Sequence, residues 1–277
     1  MKEIICVDFT SAWLDLLENL LDCEYVSPRG LRNREENCVA FRVVESSMNI
    51  LVHPVRKLNY RFMIAEWIWY MRGWNSLQEL TRFNPHMAKF SDDGQTLAGA
   101  YGPRLLPQWE YILSKLNKDG DTRQAVASIW TPSPAPSNDI PCTLSLQFLI
   151  REGRLNLIVT MRSSDIWLGL PYDMFSFSQM QNALAGELKV DRGWIQFNLG
   201  SSHLYQENEE IAKETLRMAH GFYSIKSPAL RGWIPPLGWN PYSPLPLQRP
   251  WSDYANILNS SRTSAEALEI LNKASVL

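Results

Sequence analysis

Four groups of residues in this 277-residue chain have the types and spacing for chemistry. Cys142 follows Pro141 at the start of an apolar run. A cysteine there is either a small buried hydrophobe or a nucleophile, and a nucleophile needs cations nearby to hold a thiolate. Arg29, Arg123 and Arg162 are the candidates for that cationic neighbourhood. Arg162-Ser163-Ser164-Asp165 closes the next apolar run. An arginine with a hydroxyl at a strand end suits a phosphate, and a surface ion pair would look the same. His203-Leu204-Tyr205 puts two polar rings two residues apart, on one side of an extended chain. Glu66 stands among Trp67, Ile68 and Trp69, either as a proton carrier with a raised pKa or as the partner of an arginine.

These groups need elements to hold them. Apolar spacing predicts a helix over residues 11–22, followed by a loop over 27–34 carrying three arginines. A strand is expected at 39–45, a helix at 55–72 around Glu66, and a polar loop from Asn84 to Gly102. A second helix runs around Tyr111–Leu116, and a strand covers 125–130 before Pro132, Pro134 and Pro136. Thr143–Ile150 and Leu155–Met161 flank Glu152-Gly153 and read as a hairpin. Helices are expected at 171–188, 204–220 and 264–273, with a strand at 194–199. Residues 228–250 hold seven of the 17 prolines together with Trp233 and Trp239, and read as an irregular segment.

The composition narrows the classes. The chain is 45% apolar with a net charge of −2, which suits a globular protein and gives no basic surface for a polyanion. Cys6, Cys23, Cys38 and Cys142 form neither a zinc motif nor a disulfide framework, so a reducing cytoplasm is expected. Glu3, Asp8 and Asp15 interrupt the N-terminal apolar stretch, unlike a signal peptide. No apolar run reaches the roughly 18 residues of a membrane span. No repeat or linker divides the chain, so one domain over 1–277 is expected.

Taken together, the motifs resemble thymidylate synthase. The resemblance rests on Pro141-Cys142 through Gln147, on Met161-Arg162-Ser163-Ser164-Asp165-Ile166-Trp167-Leu168-Gly169-Leu170-Pro171-Tyr172, and on Gly200-Ser201-Ser202-His203-Leu204-Tyr205. Upstream, the Glu66–Gly73 run, Ala100-Tyr101-Gly102 and Asp121-Thr122-Arg123 match that family's glutamate helix, tyrosine-glycine loop and cross-subunit arginine motif. It covers roughly residues 25–220. It implies an α+β fold, a mixed β-sheet packed by helices, and a homodimer formed through the sheet face.

Departures from the pattern point to the deoxycytidylate hydroxymethylase branch, a phage-type enzyme, with a host cytoplasm as the expected location. Asp173 stands where thymidylate synthases place Asn. A protonated carboxyl offers one donor and one acceptor, which matches cytosine N3 and the 4-amino group. Thr143 follows the cysteine in place of His, and Asp139 replaces an apolar residue three positions before it. Asn198 through His203 also resembles the hydroxymethylases. Gln124 replaces a second arginine, and Met87 a tryptophan of the folate site.

The resemblance implies dCMP as substrate and 5,10-methylenetetrahydrofolate as one-carbon donor, with no nucleic-acid or membrane partner. It implies that Cys142 attacks C6, that Glu66 moves protons through water, and that Asp173 reads the base. Arg29, Arg162 and Ser163 would hold the phosphate and favour the Cys142 thiolate, with Arg123 reaching from the other subunit. His203 and Tyr205 would hold the sugar 3′-hydroxyl, Tyr101 and Gln147 the ring or its waters, and Asp165 the pterin. Alternatives are a thymidylate synthase or dCMP/CMP C5-methylating enzyme, which makes dihydrofolate, or a silent nucleotide-binding relative.

Overall fold

The computed structural model describes residues 2–224 except 52, 54, 133 and 134, together with 256–267 except 257. The proline-rich segment at 228–250 and most of the expected helix at 264–273 lie outside the described residues, and 264–267 form a single helical turn.

An eight-stranded mixed sheet carries the molecule. Along the chain come β1 (Lys2–Cys6), α1 (Phe9–Leu21), β2 (Tyr25–Val26) and β3 (Asn33–Val43). Then follow α2 (Tyr60–Met71), α3 (Leu77–Thr81), α4 (Gly102–Leu105) and α5 (Trp109–Lys118). The second half holds β4 (Val126–Ser128), β5 (Thr143–Arg151), β6 (Arg154–Met161), β7 (Ser164–Asp165), α6 (Leu170–Leu188), β8 (Asp191–Tyr205) and α7 (Glu209–Ser224). The strand order is β1-β3-β8-β6-β5-β4, with β2 on β3 and β7 on β8. β3 runs antiparallel to β8, and β6 parallel to it.

Local chemistry accounts for these elements. Asp8 caps α1 by accepting from the Ser11 amide at 2.9 Å, and Asn59 caps α2 through the Phe62 amide at 3.0 Å. β5 and β6 close on Glu152-Gly153, both with positive φ, as a two-residue hairpin turn needs. Along β8, Ile195, Phe197 and Leu199 are buried while Trp194, Gln196 and Asn198 between them are half-exposed. The buried side meets α1 and α6. Phe41 stacks on Phe197 with centroids 4.8 Å apart, and Phe177 of α6 lies 6.1 Å from Phe197. α2 and α6 are buried on nearly every side, polar residues such as Ser176, Gln179 and Gln181 included, so both helices are enclosed by the fold.

Several boundaries differ from the sequence expectation. β8 extends six residues past Leu199, because Ser201–Tyr205 pair with β3 on one side and Ser202 and His203 with β7 on the other. The final long helix therefore starts at Glu209 rather than Leu204. β3 begins at Asn33, inside the expected arginine loop, and β4 is only three residues long. α2 starts at Tyr60, where Asn59 provides the cap, not at residue 55. The polar stretch after Asn84 contains a 3₁₀ segment, Pro85–Phe90.

Candidate active site

Cys142 immediately precedes β5, where the register shifts between Thr143 and Ser145. Such an irregularity re-aims the adjoining side chain. Its carbonyl accepts from the Arg162 amide at 2.9 Å, tying it to the end of β6. The Arg162 guanidinium donates to the carbonyls of Pro141 (2.9 Å) and Ile140 (3.0 Å) and lies 3.7 Å from Cys142 Sγ. An arginine held by two carbonyls keeps one geometry beside the sulfur.

Glu66, Tyr70, Tyr101, Asp139 and Cys142 line one cleft. Glu66 is buried on α2, and no arginine among the described residues pairs with it. Burial and the nearby Asp173 push its carboxyl up to about 8, against a hydrogen bond with Tyr70. Asp173, in the first turn of α6, is pushed up to about 7 by burial. Burial thus favours the protonated form of both carboxyls. Tyr101 is clamped between Tyr70 (5.0 Å, 14°) and Phe177 (5.9 Å, 13°) in a three-ring stack. Gly102 permits that placement, since a Cβ there would run into the Tyr70 carbonyl.

The anion side lies next to the nucleophile. Ser163 Oγ is 3.4 Å from His203 Nδ1, and His203 meets Tyr205 edge-on at 5.2 Å. The two rings share a side of β8, in agreement with their spacing. Burial, Arg29 and Arg162 lower His203 to about 4 against the pull of Glu35, so its ring is neutral at pH 7. Arg29 sits in the 3₁₀ turn Pro28–Gly30 with φ 54°. Exposed Arg29 and Arg162 thus face one area with Ser163 and His203, a fit for a phosphate and a hydroxyl.

Arg162 and Arg29 favour the Cys142 thiolate, in the direction expected from sequence, and burial outweighs them. Burial is the largest influence and, with Asp173 and Asp139, raises the thiol above its ordinary value, while Arg162 and Arg29 only oppose this.

Other expected residues lie apart within one chain. Gln147 is half-buried, and its amide donates to the Arg123 carbonyl at 3.0 Å rather than entering the cleft. Arg123 is exposed. Gln124 accepts from Lys115 Nζ at 2.9 Å. Asp165 Oδ1 accepts from the amides of Trp167 (2.9 Å) and Leu168 (2.8 Å), and burial raises its carboxyl to about 6. Met87 lines the cleft. Tyr70 and Phe177 had no role on sequence grounds, because their ring stack on Tyr101 joins three separate elements and leaves no local signature. Among the described residues no group of three His, Cys, Asp or Glu could hold a metal, and no helix is long and apolar enough to cross a membrane.

The thymidylate synthase sequence profile matches residues 30–226. The chain belongs to the thymidylate synthase family. It is 30% identical over 220 residues to the deoxyuridylate hydroxymethyltransferase of Bacillus phage SP01, covering 72% of this chain and 57% of that protein. A protein of the same name from Delftia phage PhiW-14 is 30% identical over 202 residues, 67% of this chain and 57% of the relative. Thymidylate synthase 1 of Bacillus spizizenii is 27% identical over 173 residues, 57% of this chain and 62% of that enzyme. The chain thus spans about 57% of the length of the phage relatives. Cys142, Glu66, Arg162 and His203 all lie inside the matched stretch.

Proposed function

We propose that this protein transfers a one-carbon unit to C5 of deoxycytidylate and releases 5-hydroxymethyl-dCMP. Family membership supports the one-carbon transferase class. What supports the choice of base is Asp173, a carboxyl in the first turn of α6 that burial pushes up to about 7, towards its protonated form. In that form it donates to cytosine N3 and accepts from the 4-amino group. Arg29, Arg162 and Ser163 bind the phosphate, with Arg123 contributed by a second subunit across the half-exposed sheet face. His203 and Tyr205 hold the sugar hydroxyl, with the neutral imidazole able to donate or accept.

Cys142 Sγ bonds to C6, and C5 becomes the nucleophile. Arg162 stabilises the sulfur as it gains negative character, and as it departs later. Neutral Glu66 is a proton donor to the ring heteroatoms through water, and its ionised form takes a proton back. Tyr101, immobilised by its two ring neighbours, fixes the ring in the cleft.

The cleft fits methylenetetrahydrofolate: Trp69, Leu80, Met87, Leu97 and Ile140 give an apolar wall beside Cys142 for a flat ring system. Asp165 would contact the pterin, whereas Gln147, hydrogen-bonded to the Arg123 carbonyl, lies outside the cleft. Methylenetetrahydrofolate supplies the one-carbon unit.

The names of the phage relatives favour a second reading, with deoxyuridylate as the substrate and 5-hydroxymethyl-dUMP as the product. Incubation with each nucleotide and methylenetetrahydrofolate separates the two. Mass analysis should find 5-hydroxymethyl-dCMP, whereas product from dUMP alone would overturn the assignment of Asp173.

A further inference from the structure

We propose that Asp139 positions the water that adds to the one-carbon unit on C5, and so selects the hydroxymethyl product over the methyl product; this rests on the one-carbon transfer reading above. Asp139 lines the same cleft as Cys142, Glu66 and Tyr101. It differs from Glu66 and Asp173 in how it is held. Oδ2 accepts from the Gly99 amide at 2.7 Å, and the Asp139 amide donates to Ser137 Oγ at 2.9 Å. Oδ1 has no hydrogen-bond partner among the described residues.

A built clamp fixes this carboxylate. Asp92 accepts from Ser137 Oγ (2.5 Å), the Asn138 amide (3.0 Å) and Asn138 Nδ2 (2.8 Å), lacing the segment before Cys142 to the segment before Tyr101. Gly99 is part of the device. A Cβ at that position would stand 2.7 Å from the Asp139 carbonyl oxygen and 3.0 Å from its Cγ and Oδ1. Only glycine lets the two segments close that far. The result is a half-buried carboxylate with one oxygen engaged and one available, on a rigid mount in an otherwise apolar part of the cleft.

The step balances. Water oxygen bonds to the exocyclic CH₂ carbon on C5, and its proton passes to Asp139 Oδ1. The electron pair of the exocyclic double bond moves into the ring, and the Cys142 Sγ–C6 bond breaks as C5=C6 forms again. The departing thiolate then takes the proton. Nothing is oxidised or reduced, whereas a methyl product consumes a hydride and leaves dihydrofolate.

The test compares wild type, Asp139→Asn and Asp139→Leu with C5-tritiated dCMP and methylenetetrahydrofolate. Tritium release reports the steps shared by both products; hydroxymethyl and methyl nucleotides are separated by mass. For both variants the ratio of hydroxymethyl product to tritium released should fall, about a hundredfold for a lost proton acceptor, with methyl product and dihydrofolate making up the share that reaches product. Asp139→Asn keeps an acceptor for the Gly99 amide, so it guards against a folding defect. An unchanged ratio in that variant, whatever its rate, would overturn the proposal. A wild type that releases no tritium would instead overturn the one-carbon reading on which it stands.

Discussion

The behaviour of this site follows from carboxyls placed where water is scarce. Glu66 ionises near 4.5 in an unfolded chain and at about 8 in the fold. Between those values the unfolded chain has released its proton while the fold still binds it, so this group lowers stability as pH rises. Glu66→Gln cannot ionise, and should melt higher than wild type at pH 9 but not at pH 4. The gain should grow with each pH unit climbed between the two ionisation points. Thermal melts across that range test this, and a constant difference would refute it. Its turnover should fall by about 10² or more with proton transfer lost. Asp173 sets a second dependence. If Asp173 reads cytosine as proposed, ionisation above about pH 7 removes the hydrogen offered to N3, and kcat/KM for deoxycytidylate should decline. Asp173→Asn exchanges donor and acceptor, and should shift preference towards deoxyuridylate by about 10²-fold or more. Equal preference before and after the change would remove the base-reading role. Cys142→Ser should abolish turnover and leave nucleotide binding measurable by calorimetry.

At the scale of elements, ring packing carries precision from the core to the cleft. Tyr101 touches Phe177 of α6, which touches Phe197 of β8 and, through it, Phe41 of β3. Phe177→Ala should cost about 3–5 kcal/mol in denaturant unfolding, and loosen Tyr101 enough to reduce kcat more than nucleotide affinity. Local periodicity was enough to find α6 and the β5–β6 hairpin, because a long apolar run and a Glu-Gly turn state themselves within a few residues. The end of β8 was not legible, since Gly200-Ser201-Ser202 has poor strand propensity and is held by pairing partners distant in sequence. The motif residues Cys142, Glu66, Arg162, Asp173 and His203 could be named from sequence. Their electrostatics could not, because the protonated state of Glu66 and the thiol state of Cys142 depend on burial. The Asp92–Ser137–Asp139–Gly99 clamp was hidden for a similar reason: it joins residues about 40 positions apart.

For the whole molecule, one face of the sheet is left for a second copy to cover, if the protein forms the dimer proposed above. Helices cover one side, while Trp194, Gln196 and Asn198 stand half-exposed on the other, where Arg42 donates to Gln196 at 2.6 and 3.0 Å. If Arg123 completes the site of a second copy, Arg123→Ala and Cys142→Ser should each be inactive alone. An equal mixture that exchanges subunits should then recover about a quarter of wild-type activity, since half the dimers are mixed and each has one intact site. No recovery in an exchanging mixture would place Arg123 in its own chain's chemistry, and an Arg123→Ala variant active alone would give it no part in the chemistry. The near-neutral charge fits this picture, because a mononucleotide phosphate needs a few focused arginines rather than a basic surface.

The most direct test of the central claim is the mass of the nucleotide product formed from dCMP with methylenetetrahydrofolate. A deoxycytidylate hydroxymethylase yields 5-hydroxymethyl-dCMP without dihydrofolate, and that is the expected result. A methylated nucleotide with stoichiometric dihydrofolate, or product from dUMP only, would contradict it.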